Sequence, residues 1–142
     1  MPGTFRSIKV RDYMTRQLIT FRPDTDLFAA IERLLASRIS GAPVVDGEGR
    51  MVGMLSEGDC LRSILSGAYY EAVGGVVADC MTTDLESVSP EADIIELCQR
   101  FVSGRRSRFP VVENGRLVGQ ISRSDVLRAI KSFARHEHPV SA

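Results

Sequence analysis

From Leu27 the chain returns an apolar residue at Ile31, Leu34 and Leu35, a spacing that predicts a helix with one buried face. Ile94, Cys98, Phe101 and Val102 repeat the pattern, and Asp26 and Asp93 stand near the two helix starts. Ahead of each helix lies a short β candidate, Leu18–Phe21 and Leu85–Val88. After each helix comes an apolar strand, Pro43-Val-Val45 or Pro110-Val-Val112, then a glycine-bearing turn and a second strand. Those second strands read Met51-Val-Gly-Met-Leu55 and Leu117-Val-Gly-Gln-Ile121. Asn114-Gly115 between two apolar runs is a strong hairpin signal. Ser56 and Ser122 then open second helices carrying Leu61, Ile64 and Leu65, and Val126, Leu127, Ile130 and Phe133.

The pattern therefore occurs twice, and the residues agree as well as the periodicity. Val10-Arg-Asp-Tyr-Met-Thr15 matches Val77-Ala-Asp-Cys-Met-Thr82, and Pro23 and Asp26 match Pro90 and Asp93. Gly49-Arg-Met-Val-Gly53 matches Gly115-Arg-Leu-Val-Gly119, and Ser56, Asp59 and Arg62 match Ser122, Asp125 and Arg128. Only the first turn, Asp46-Gly-Glu-Gly49, is one residue longer than its counterpart. The boundaries read 1–66 for the first repeat, 67–76 for a linker in which Tyr69, Tyr70 and Val73 could dock, 77–135 for the second repeat, and 136–142 for a loose tail. One copy is too small to bury its faces alone. The expected fold class is α/β (α+β), a tandem pair of β-α-β-β-α units packed about a pseudo-two-fold axis, with two similar clefts at the junction suited to small molecules.

With 142 residues, 44% of them hydrophobic and 25% charged, the chain is long enough for a sizeable core without disulfides or metals. Eighteen basic residues balance eighteen acidic ones, which removes any global pull toward nucleic acid or a membrane. Cys60, Cys80 and Cys98 lack zinc-site spacing and are odd in number, which fits a reduced, cytoplasmic protein. No signal peptide and no membrane-length apolar run is visible.

The sharpest chemical feature is Gly53-Met-Leu-Ser56-Glu-Gly-Asp59 and its echo Gly119-Gln-Ile-Ser122-Arg-Ser-Asp125. A helix N-terminus offers unpaired N–H groups and a partial positive charge to a phosphate, and a nearby Asp can accept from two sugar hydroxyls. The same Ser-x-x-acid spacing also makes a capping box that serves only its own helix. A second candidate is the extended segment before each central strand, Ser40-Gly-Ala-Pro43 and Ser107-Arg-Phe-Pro110, whose backbone could meet the edge of a base or simply begin a strand. Arg105, Arg106 and Arg108 could neutralise phosphates or complete a helix C-terminus. Glu57 against Arg123, and one arginine (Arg38) against three, favour the Ser122 and Asp125 copy for a polyphosphate. His136 and His138 have no nucleophile or carboxylate pattern beside them, and no P-loop, GxSxG, HExxH or GxGxxG motif occurs.

These landmarks together resemble the CBS (cystathionine β-synthase) domain, and two in tandem resemble a CBS pair, or Bateman module. The likeness rests on the hydrophobic-x-Pro-Val-Val strand, the Gly-x-x-Ser-x-x-Asp turn and the leading Asp-x-Met-Thr segments, and it covers residues from about 8 to 133. It implies an adenosine-containing ligand, with AMP, ADP or ATP foremost, and no required cofactor. It implies phosphate contacts from Ser56 and Ser122, ribose contacts from Asp59 and Asp125, and an adenine held near Thr20, Gly41 and Ala42, or near Ser87, Arg108 and Phe109. Arg123 joins the second set as a phosphate neighbour. The resemblance also implies a homodimer acting on a regulated partner and no catalysis. The alternative within the same family is a ligand-independent dimerisation or protein-interaction module.

Overall fold

The computed structural model describes Phe5, residues 8–66 and residues 75–137, the last two by backbone only. Tyr69, Tyr70, Val73 and His138, to which the sequence assigned linker and tail roles, lie outside the described residues. The elements are α1 (Leu27–Ser37), β1 (Gly41–Val45), β2 (Met51–Ser56), α2 (Glu57–Leu65), α3 (Ile94–Ser103), β3 (Arg108–Glu113), β4 (Arg116–Ser122) and α4 (Arg123–Glu137). This is the mixed α/β order that the doubled pattern predicts. His136, placed in the tail from sequence, falls within α4.

The compact units are not the sequence repeats. One unit is Ile19–Leu85; the other joins Met1–Leu18 to Glu86–Ala142. The leader of each repeat is thus built into the fold of the other. Thr82 bridges Met54 on β2, and Thr15 bridges Gln120 on β4, each through a reciprocal pair of backbone hydrogen bonds. Val77 enters the core of the first unit, and Val10 that of the second; both are fully buried.

Within each unit an antiparallel hairpin carries the core. Residues β1 and β2 pair from Gly41 with Ser56, and β3 and β4 pair from Arg108 with Ser122. Both hairpins bulge at the same place, after Val44 and after Val111, where β2 and β4 carry one extra residue, Val52 and Val118. Asn114 and Gly115 both have positive φ, the geometry of a two-residue I′ turn. The longer first turn closes differently: Asp46 Oδ1 accepts from the N–H groups of Glu48 and Arg50, and Gly49 supplies the positive φ.

The β segments expected at Leu18–Phe21 and Leu85–Val88 reduce to single parallel bridges, Phe21 to Val44 and Val88 to Val111. The cause lies in the neighbouring strand. Phe21 donates to the Pro43 carbonyl and accepts from Val45, so the next rung would need an N–H from Pro43 itself. Proline has none, and Pro110 stops the second ladder in the same way.

Asp26 and Asp93 cap α1 and α3 by accepting from the N–H groups of Ala29 and Glu96. The buried stripe is Leu27, Ala30 and Leu34 on α1, and Ile94, Leu97 and Phe101 on α3. Leu35 and Val102, assigned to that face from sequence, are 73% and 86% exposed. Ala30 and Leu97, which the sequence reading left off that face, are 1% and 0% exposed. On α2 the buried residues are Asp59 and Cys60, while Leu61, Ile64 and Leu65 face outward. On α4 Val126 and Ala129 are buried, Ile130 and Phe133 pack partly against the core, and Leu127 is exposed. Cys98 packs partly against the same core, in keeping with its apolar position in the sequence.

Candidate functional site: two Ser-x-x-Asp turns

Each unit holds one complete set of the residues singled out from sequence. In the first, Gly41 pairs with Ser56 at the open end of the hairpin, and Ala42 with Leu55. Thr20, exposed, precedes the Phe21 bridge to the neighbouring strand. In the second, Arg108 pairs with Ser122 and Phe109 with Ile121, and Ser87 precedes the Val88 bridge. The strand end, the pre-proline segment and the helix start therefore meet because the hairpin register brings them side by side.

The Ser-x-x-Asp spacing forms a full capping box in both places. The Ser56 hydroxyl accepts from the Asp59 N–H at 3.1 Å, and Asp59 Oδ2 accepts from the Ser56 N–H at 2.9 Å. Ser122 and Asp125 do the same at 3.2 and 2.8 Å. The first N–H of each helix is also taken: Glu57 donates to the Ser40 carbonyl at 2.8 Å, and Arg123 to the Ser107 carbonyl at 3.1 Å. Two of the donors that a bare helix terminus would turn toward a phosphate are thus engaged within the protein.

The carboxylates are only 5% and 7% exposed, yet each keeps a cation. Arg62 Nη2 donates to Asp59 Oδ1 at 2.6 Å, and Arg128 donates to Asp125 Oδ1. Both arginines lie largely in solvent, 71% and 65% exposed, so they can leave without disturbing the core. Thr82 adds a third donor to Asp59, its hydroxyl standing 2.9 Å from Oδ1. The sequence places these arginines and Thr82 at matching repeat positions but assigns none of them a role at the site. The Asp-x-x-Arg spacing in both repeats was a usable signal for the former; nothing local marked Thr82, which reaches Asp59 from the other repeat's leader.

The remaining candidates divide. Phe109 is 1% exposed, packed at 4.9 Å against Phe101 with the Arg100 guanidinium 4.5 Å from its ring centroid, so its side chain is part of the core. Ala42 is equally buried. The Ser87 carbonyl accepts from Arg100 at 2.7 Å. Arg123 turns back to the end of α3, donating to the carbonyls of Phe101 and Arg106, which is the helix-completing role. Arg106 pairs with Glu86 at 3.2 Å. Arg108 stands apart: its Nε is the only buried side-chain polar atom without a hydrogen-bond partner among the described residues. No metal-ligating cluster occurs among the described residues, and none of their helices is long and apolar enough to cross a membrane.

Two hairpin-and-helix units, each with a capped Ser-x-x-Asp turn after a Gly-bearing strand and each containing the leader segment of the other sequence repeat, define a tandem-repeat module. The chain belongs to the CBS-domain family, whose model matches residues 10–66 and 77–132. Among solved structures it is similar to CBSX2 of Arabidopsis thaliana in complex with AMP: 30% identity, a TM-score of 0.77, and coverage of 89% of this chain and 98% of that one. It is 30% identical, over 91% of its length, to the uncharacterized protein MJ1225 of Methanocaldococcus jannaschii. It is 34% identical, over 82% of its length, to the A-adding tRNA nucleotidyltransferase of Geobacter sulfurreducens. The chain spans 45% of the first of these relatives and 13% of the second.

Proposed function

We propose that this chain is a non-catalytic regulatory module that binds an adenosine-containing ligand, AMP, ADP or ATP, at its two Ser-x-x-Asp turns. In this reading Asp59 and Asp125 hold the ribose, Ser56 and Ser122 lie at the phosphate, and the adenine meets Thr20, Gly41 and Ala42, or Ser87, Arg108 and Phe109. The observation that carries it is the Arg108 Nε, buried and unpartnered on β3 directly across from Ser122. A buried donor without an acceptor costs about 1–3 kcal/mol, and a ligand acceptor would remove that penalty. The similarity to a CBS-pair protein in complex with AMP points to the same ligand class. The test is thermal unfolding against AMP, ADP and ATP. A ligand at a hundred times its dissociation constant stabilises by about 2.7 kcal/mol, a rise of several degrees for a chain of this size. A rise that Asp59→Ala and Asp125→Ala together abolish supports the reading; no rise with any of the three rejects it.

A second reading, a homodimer formed without ligand, is favoured by Leu61, Leu65 and Leu127, apolar side chains left 62%, 86% and 66% exposed. Sedimentation with and without nucleotide separates the two. A stable dimer in both conditions, with no nucleotide-induced stabilisation, supports the interaction module.

A further inference from the structure

Resting on the adenosine-binding reading above, the geometry assigns to Thr82 the role of a specificity residue that makes the two turns unequal toward a vicinal diol. A carboxylate offers about four acceptor positions, two on each oxygen. At Asp59, Oδ2 takes the Ser56 N–H, while Oδ1 takes both Arg62 and the Thr82 hydroxyl. One position remains. At Asp125, Oδ2 takes the Ser122 N–H and Oδ1 takes Arg128 alone. Two positions remain, one on each oxygen. The 2′ and 3′ hydroxyls of a ribose donate two hydrogens, so Asp125 can accept both with its present partners in place and Asp59 cannot.

The inequality does not come from the backbone. Thr15 occupies the place of Thr82 in the other unit and makes the same backbone bridge, to Gln120 where Thr82 bridges Met54. Its hydroxyl is not among the donors to Asp125 in the described residues. The two arginine partners are equivalent and exposed, so they do not discriminate. Thr82 differs from them because the Met54 bridge pins its backbone beside Asp59, so its short side chain keeps the hydroxyl near the carboxylate, whereas an arginine head can swing away. A diol arriving at Asp59 must displace either Arg62 or this hydroxyl; one arriving at Asp125 need displace neither of that carboxylate's partners.

Calorimetric titration of the full chain with AMP tests the assignment. Asp125→Ala isolates the Asp59 turn, and Asp59→Ala isolates the Asp125 turn; where either fails to fold, Asn, which keeps an acceptor for the cap, replaces Ala. The tighter site should vanish with Asp125→Ala. In that background Thr82→Val should strengthen AMP binding about five- to tenfold, the equivalent of one released hydrogen-bond competitor. Thr82→Ser, which keeps the hydroxyl, should leave it weak. With the 2′,3′-dideoxy analogue of AMP the effect of Thr82→Val should disappear. Unchanged AMP affinity on Thr82→Val, or loss of the tighter site with Asp59→Ala, overturns the role of Thr82 while leaving adenosine binding intact. No AMP binding by any form, with no nucleotide-induced stabilisation, overturns the ligand reading and this inference with it.

Discussion

The sulfur of Met81 fills the space that a side chain on Gly53 would need: a β-carbon built there would lie 2.5 Å from Sδ and 2.9 Å from Cγ. Met14 stands over Gly119 in the same way, at 2.7 Å, with the Thr15 carbonyl oxygen at 3.0 Å beside it. The Met of each leader and the Gly of each turn motif are thus two halves of one contact, made between segments that the sequence places in different repeats. Gly53→Ala and Gly119→Ala should each destabilise by about 1–3 kcal/mol, the usual range for overpacking a close contact. Gly119→Ala should cost more, because a backbone oxygen cannot move aside as a thioether can. Urea unfolding of both variants checks this, and combining Gly53→Ala with Met81→Ala should cost less than the sum of the two. Neutral glycine variants would mean that the leaders are not held as described.

The exchange of leaders also bears on where the chain can be cut. A fragment of residues 1–66 lacks Val77, which is fully buried in the first core, and lacks the Thr82 bridge to β2. A fragment of residues 19–85 keeps both. The shorter cut should give an unfolded or molten fragment and the second a cooperative one, read from near-ultraviolet circular dichroism and the sharpness of thermal melting. Cooperative unfolding of 1–66 alone would show that the leader adds little.

Much of this was legible along the chain. The doubled pattern, the Asn114-Gly115 turn and the Asp26 and Asp93 caps follow from residue type and spacing, and the family from the resemblance of those landmarks to the CBS domain. Such features are local: a cap needs only its own first turn, and an I′ turn only its two central residues. What was not legible depends on partners distant in sequence. Thr82 meets Asp59 because a leader crosses to the other repeat's sheet. Pro43 ends a ladder whose other strand lies upstream, and Arg123 is drawn away from the turn by carbonyls at the end of α3. The Ser-x-x-Asp motif was ambiguous between cap and ligand site; the structure realises the cap and does not use every acceptor position of either carboxylate.

That double duty gives Asp59 and Asp125 a stability role apart from any ligand. Replacing either by Ala removes the acceptor for a strand-end N–H and strands an arginine. Each change should destabilise the ligand-free protein by about 0.5–2 kcal/mol, the range for a lost helix cap. The Asn variants, which keep one oxygen for the cap, should lose less. Equilibrium unfolding without nucleotide measures this directly. Full stability in Asp59→Ala would show that the capping box contributes nothing to folding.

Cys60 provides a test at alkaline pH. It lies 6% exposed in the core of the first unit, and burial pushes its thiol pKa up, with the nearby Cys80 and Asp59 adding in the same direction. The folded state therefore holds the thiol proton more tightly than the unfolded state does. The sign follows: this contribution to stability is fully present below the ordinary thiol pKa, about 8.5, and is lost as the pH rises through the higher folded value. Val126 occupies the matching place on α4, so Cys60→Val keeps an apolar side chain that the fold already accepts there. Between pH 7 and about pH 10 the urea midpoint of the wild type should fall further than that of Cys60→Val, and the excess loss should begin near the ordinary thiol pKa. Parallel curves for the two proteins would show that Cys60 ionises in the folded state as freely as in the unfolded chain, and that its burial carries no electrostatic penalty.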